Sequence, residues 1–193
     1  MTDFAISRFP VPELDELPAD IRERMLAVQE KAGFIPNVFL ALAYRPAEFR
    51  AFFAYHDAVM EREGSTLSAA EKEMIIVATS AANGCHYCVI AHGALLRIYA
   101  KDPLLADQVT VNYRHAPLSE KQKAMLAFAL KLARTPELVE ESDHDELKRL
   151  GFDADDILDI ANITALFGLS NRIATVTGMQ PNSEFYTLGR QPR

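Results

Sequence analysis

Two segments of the chain open alike, Leu67-Ser68-Ala69-Ala70-Glu71 and Leu118-Ser119-Glu120-Lys121-Gln122. Each places a serine at a helix start and a Glu or Gln three residues on, so that two side chains reciprocally satisfy orphan amide groups. Asp153 and Asp156 open a third helix in the same way, leading through Ile157, Ile160, Ala161, Ile163 and Leu166 towards Ala174. Alternating runs rich in Val, Ile and Thr and bounded by turn pairs are nearly absent. An all-helical (all-α) fold is expected, and the likeness of the first two openings points to an internal helical repeat.

The remaining punctuation fits one helical domain over residues 1–193. Residues 1–17, with Pro10 and Pro12, are expected as an extended N-terminal arm. A first helix over 19–32 ends at Gly33 and is barred from continuing by Pro36. Helices are expected over 37–44 and 46–63, the second opening at Pro46 and turning Phe49, Phe52, Phe53, His56 and Met60 inward. A helix over 69–82 is apolar on most sides, Asn83-Gly84 turns the chain, and 67–97 forms a helix hairpin. The acidic stretch Glu137 to Asp145 reads as a solvated face and loop, with His115 and His144 at the surface. The tail, 179–193, carries Phe185 and Tyr186 and is expected to dock, on another subunit for example, rather than trail.

At 49% apolar and 24% charged residues the composition is that of a soluble globular protein. Acidic residues outnumber basic ones by 27 to 20, a net charge of -7, which argues against nucleic acid or an anionic membrane as partner. With no basic-then-apolar leader and no apolar run near 18 residues, a cytoplasmic location is expected. In a reducing compartment the two cysteines, both in one CxxC, are expected to be chemical rather than architectural.

Those cysteines fall in Asn83-Gly84-Cys85-His86-Tyr87-Cys88-Val89-Ile90-Ala91-His92. On a helix Cys85, Cys88 and His92 share one stripe, while His86 and Tyr87 point elsewhere. A helix N-terminus, a CxxC pair and a neighbouring histidinium each lower a thiol pKa, and all three conditions are expected at Cys88. If the hairpin closes, Glu73 lies within about one turn of His92, by helix rise. Glu73, His92, Cys88 and Cys85 then form the layout of a proton relay ending on a nucleophilic thiol, with a water between Glu73 and His92 if needed.

Glu73, eleven residues, Cys85-His86-Tyr87-Cys88, three residues and His92 resemble the alkyl hydroperoxidase D type of the carboxymuconolactone decarboxylase superfamily. Gly33-Phe34-Ile35-Pro36-Asn37 and Asn171-Arg172-Ile173-Ala174 resemble its peroxidase-related branch. The resemblance implies a helical protein assembled as a trimer or hexamer, an antioxidant oxidoreductase with hydroperoxide as substrate and a thiol or dithiol as reductant, and no cofactor. It implies that Cys88 is the peroxidatic thiol, that Cys85 donates a proton and then closes the disulfide, and that His92 and Glu73 activate Cys88. The family pattern has a histidine directly before the second cysteine, where this chain has Tyr87; a phenol is a poor base near neutrality, so Tyr87 is at most auxiliary.

Other readings stay open at this level. Two cysteines can be plain core residues. Cys85, Cys88, His92 and Glu73 are four conceivable zinc ligands, which would make the chain a metal-clasped interaction module, although no second CxxC or HxxxH accompanies them. Lactone decarboxylation, the wider superfamily's chemistry, needs no cysteine pair. Haem attachment needs a histidine where Val89 stands, and a thioredoxin-like domain needs strands. His56 is read as a core or pocket-wall residue and Arg172 as one half of a salt bridge.

Overall fold

The structure, a computed structural model, describes residues 5–190. Among them are nine α-helices and no strand: α1 (Ala19–Ala32), α2 (Asn37–Leu42), α3 (Pro46–Met60), α4 (Ala69–Ala82), α5 (His86–Ala100), α6 (Leu105–Asn112), α7 (Glu120–Arg134), α8 (Glu141–Arg149) and α9 (Ala154–Thr177). The sequence signals act where they stand. Ser68 and Ser119 accept from the Glu71 and Gln122 amides, and Asp153 accepts from Asp156. Gly33 ends α1 with φ 85° and Gly178 ends α9 with φ 64°, left-handed conformations that favour glycine.

The architecture follows from α4. Nine consecutive residues, Lys72 to Ser80, are buried, so this helix is the axis around which α5, α6, α7 and α9 pack. Ile75, Ile76 and Val77 are fully enclosed and meet Leu96, Met125, Leu126, Ile160 and Ile163 in one apolar cluster. A second cluster seats α1, α2 and α3 on Phe39, Phe49 and Phe53, the first and last of which stack with centroids 4.3 Å apart. A third collects Cys85, Tyr87, Cys88, Ala91, Ala174 and Phe185 between α2, α5, the end of α9 and the C-terminal segment.

Three local expectations need correction. The helix expected over 46–63 stops at Met60, because the following loop is drawn onto α9. Arg62 grips buried Asp159 through two hydrogen bonds of 2.7 and 2.9 Å, Ser65 donates to the same carboxylate, and Thr66 donates to Asp156. The stretch Glu137 to Asp145 is the solvated face expected, but it is helical rather than a loop: a short 3-10 turn, Pro136–Leu138, leads into α8. There the Glu140 amide donates to Asp143, which also accepts from Lys131 of α7 at 2.6 Å, while Leu147 is buried. His144 accordingly sits edge-on to Phe128 rather than free at the surface. Helix α6 had no strong sequence signal; Asp102 starts it by accepting from the Leu104 and Leu105 amides.

Both ends lie against the body. In the arm, the Arg8 amide donates to the Thr177 carbonyl, and the Gln180 amide donates to Ile6. The C-terminal segment docks on its own chain: buried Arg97 of α5 donates to the Phe185 and Leu188 carbonyls. Asn37 and Asn182 complete the join, since the Asn37 amide donates to the Asn182 side chain, which in turn donates to the Ile35 carbonyl. Residues 1–4 and 191–193, the outer parts of the expected arm and tail, lie outside the described residues. No helix among the described residues is long and apolar enough to cross a membrane.

Candidate active site

The turn between α4 and α5 determines where the thiols go. Gly84 takes φ 65°, the Gly84 amide donates to Ala81, and the Cys85 amide reaches back to Ser80 at 2.9 Å. This double closure ends α4. Cys85, already extended, is at once the N-cap of α5. The Cys85 side chain makes no cap hydrogen bond there, but the nearby Cys88 amide favours its thiolate.

Both thiols are reduced and each is only 1% exposed. The Cys88 thiol hydrogen-bonds the Cys85 sulfur; with the Cys88 amide, His92 and Asn171 adding to it and burial opposing, this lowers the Cys85 pKa to about 7. Cys88 moves the other way, well above its ordinary value, because its proton is held in the hydrogen bond to Cys85 and because it is buried. The expected order is therefore reversed: the favoured site for the first negative charge is the capping Cys85, not Cys88. The pair titrates as a unit, with one proton shared between two sulfurs.

Side chains from α4 and α9 surround the sulfurs. Ser170 of α9 lies 3.7 Å from Cys88 Sγ. Asn171, 2% exposed, favours thiolate at both sulfurs, donates to Ser80 Oγ at 2.9 Å and accepts from Asn83 at 2.8 Å. These residues were not singled out from sequence for the site. Ser80 and Ser170 gave no signal beyond interrupting the apolar runs of α4 and α9, and Asn171 stood out only within the Asn171-Arg172-Ile173-Ala174 resemblance.

Glu73 and His92 meet directly, His92 Nδ1 to Glu73 Oε2 at 2.7 Å, with no water needed between them. Glu73 is buried and His92 lies edge-on to Phe167. Among the described residues no hydrogen bond joins His92 to either thiol, so the four expected site residues form two pairs. His92 still acts on Cys85 through its charge.

The Glu73–His92 pair opens on a cleft of about 270 Å³ that also presents His56, Lys72 and Tyr99 but neither cysteine. His56 is a wall of this cleft; its Nδ1 lies 3.2 Å from Asp57, and burial lowers its pKa. Lys72 is lowered by burial too, its ammonium donating to the Met60 carbonyl.

Tyr87 is buried under α2, where its phenol oxygen accepts from the Val38 amide at 3.1 Å, and burial raises its pKa. His86 is exposed and 3.0 Å from the Tyr186 hydroxyl. Arg172 forms no salt bridge among the described residues, contrary to expectation; it donates to the Gly168 carbonyl of its own helix. No three His, Cys, Asp or Glu side chains among the described residues converge as metal ligands, so Cys85, Cys88, His92 and Glu73 are not arranged around one zinc.

A helical fold of this kind is shared with known proteins. The carboxymuconolactone decarboxylase family model matches residues 46–102. A crystal structure described as an alkylhydroperoxidase AhpD core, an uncharacterized peroxidase-related protein from Ralstonia eutropha JMP134, is 60% identical and superposes with a TM-score of 0.97 over 98% of this chain and 100% of that one. An uncharacterized peroxidase-related protein from Silicibacter sp. TM1040 is 39% identical, with a TM-score of 0.92 over 98% of this chain and 99% of that one. The debrominase Bmp8 shares the fold at 20% identity, with a TM-score of 0.75 over 95% of each chain. No functionally curated protein matches the chain. The chain belongs to the AhpD-like carboxymuconolactone decarboxylase family.

Proposed function

We propose that the chain is a thiol peroxidase of the alkyl hydroperoxide-reducing kind, acting through Cys85 and Cys88. The observation that carries this reading is the placement of two reduced thiols, each 1% exposed, at the start of α5. The Cys88 thiol lowers the Cys85 pKa to about 7, and once the first charge forms the two sulfurs share one proton. Ordinary buried thiols would stay protonated and inert.

The balanced sequence uses that shared proton. It crosses the existing hydrogen bond to Cys85, and the Cys88 thiolate attacks the outer peroxide oxygen. The O–O bond breaks, Cys88 becomes a sulfenic acid, and the Cys85 proton goes to the departing alkoxide. Cys85, now a thiolate and stable as one near neutrality, attacks the sulfenic sulfur; hydroxide leaves, takes up a proton and departs as water. The resulting Cys85–Cys88 disulfide is reopened by an external thiol or dithiol, which supplies both electrons. Glu73 orients His92, whose ring favours thiolate at Cys85 and exchanges protons with solvent through the cleft.

The family's oligomeric habit is part of the proposal, supported by large apolar side chains left outward on α6, Leu104 at 59% and Val111 at 86% exposure. Light scattering tests for a trimer or hexamer. The activity is tested by following hydroperoxide loss with excess dithiothreitol in wild type, Cys88→Ser and Cys85→Ser. Turnover should vanish in the first and slow in the second, where dithiothreitol must reduce the Cys88 sulfenic acid without a resolving thiol; undiminished turnover in Cys88→Ser sinks the assignment.

One observation favours a second reading, the wider family's decarboxylase-type chemistry: the Glu73–His92 cleft holds acid-base groups and no thiol. Carboxymuconolactone turnover that survives in the double cysteine-to-serine variant would select it.

A further inference from the structure

Arg8, Asn83, Asn171, Arg172, Thr175 and Val176 line a cavity of about 580 Å³. Both of its charged side chains are cationic. Arg24, Arg45, Arg50, Arg62, Arg149 and Arg190 each pair with a carboxylate. Neither Arg8 nor Arg172 does among the described residues, and no acidic side chain lines the cavity. In a chain of net charge -7 this is a local cationic site left without an internal partner.

Both guanidinium groups are held in place. Arg172 is tethered by its 2.6 Å hydrogen bond to Gly168, which uses one of its five donors. Arg8 is fixed at its backbone by the 2.7 Å bond to Thr177, and its side chain lies across Gly178, where a Cβ would come within 2.9 Å of its Nε. Gly178 is thus required twice, for its φ of 64° and for the seat of Arg8. Beside the charges runs an apolar strip: Leu169 and Val176 lie three before and four after Arg172, on the same face of α9, and are 50% and 61% exposed. The floor is Asn171, which lies beside the thiols: its neighbour Ser170 is 3.7 Å from Cys88 Sγ and its amide donates to Ser80, whose carbonyl accepts from the Cys85 amide.

Resting on the peroxidase reading, we infer that this cavity binds the carboxylate of an apolar hydroperoxy acid, so that the physiological substrate class is a carboxylate-bearing organic hydroperoxide. The guanidinium pair takes the anion, Leu169 and Val176 take the hydrocarbon, and the tether brings the remote peroxide to the Asn171 floor above the thiols. Binding energy from a group remote from the reaction then lowers the barrier.

Two measurements on the full chain test this. The first needs no turnover: decanoate and methyl decanoate are titrated into reduced protein by calorimetry. Decanoate should bind and the ester should not, and Arg8→Gln and Arg172→Gln should each weaken decanoate about tenfold, the loss of one charge-assisted contact. Absence of decanoate binding, or binding indifferent to both substitutions, overturns the inference whatever the enzyme does. The second compares kcat/KM for a fatty-acid hydroperoxide and its methyl ester. A preference for the acid that collapses towards one in the double variant supports the site; equal rates, or a preference that survives, refute it. Failure to turn over any hydroperoxide, cumene hydroperoxide included, would instead count against the peroxidase reading and leave the decanoate result standing.

Discussion

Asn171→Leu removes the one side-chain amide that favours thiolate at both sulfurs while nearly conserving volume. A hydrogen bond to an ionised group contributes about 1.5–3 kcal/mol, and about 1.4 kcal/mol moves a pKa by one unit. The Asn171 amide is committed to Ser80 and is the smallest of the influences named on either sulfur, so the lower figure applies. The first ionisation of the pair should rise from about 7 to about 8. At pH 7 the thiolate fraction then falls from about a half to about a tenth. Alkylation by iodoacetamide at pH 7 should slow about fivefold, and the midpoint of its pH profile, with thiolate absorbance near 240 nm as a check, should move upward by about one unit. Stability should fall as well, by about 1–3 kcal/mol, since Ser80 Oγ is wholly buried and loses its donor. An unchanged ionisation midpoint in a folded Asn171→Leu protein would refute the view that α9 tunes the thiols.

Three further outcomes are expected. Because the folded Cys85 pKa lies below its ordinary 9.0, at about 7, the reduced protein should gain up to about 2 kcal/mol of stability as pH rises from 7 to 9 and lose it as pH falls through 7. Cys88, raised instead, acts only above that window. Urea melts at both pH values check the sign, and Cys85→Ser should flatten the slope. Glu73→Gln keeps the shape but removes the charge facing His92, and should cut peroxide turnover on the order of a hundredfold with the helical signal intact, as for loss of an acid-base group; near-normal turnover would exclude the pair from the chemistry. Arg97→Met should cost about 2 kcal/mol by orphaning two buried carbonyls, and should open the segment after Gly178 to limited proteolysis; equal resistance to protease would contradict its clamping role.

What could be read from sequence was local, and what could not was contact between distant segments. The capping pairs at Ser68, Ser119 and Asp153 and the glycines at 33 and 178 act within four residues, so they located helix ends before any packing was known. The hairpin arithmetic brought Glu73 to His92 because both helices leave one tight turn. Helix α8 escaped because its start is carried by Glu140 and Asp143 and its place by Lys131 on another helix, none of which shows as apolar periodicity. The early stop of α3 depends on Asp159, 97 positions from Arg62. At the site, the lowered pKa expected at Cys88 falls on Cys85, chiefly because the neighbouring Cys88 thiol favours a thiolate there. Asn171 and Ser170 could not be seen as thiol neighbours until α9 was packed against α5.

The central claim, that Cys88 takes the peroxide oxygen and Cys85 closes the disulfide, is tested most directly by trapping the first intermediate. Each single variant, reduced and freed of thiol, receives one equivalent of cumene hydroperoxide with dimedone present, and the adduct is located by peptide mass spectrometry. Cys85→Ser should carry a stoichiometric adduct on Cys88, while Cys88→Ser should carry none on the reaction's timescale. A rapid adduct on Cys85 in Cys88→Ser would transfer the attack to the capping thiol, and no adduct in either variant would contradict the peroxidase account.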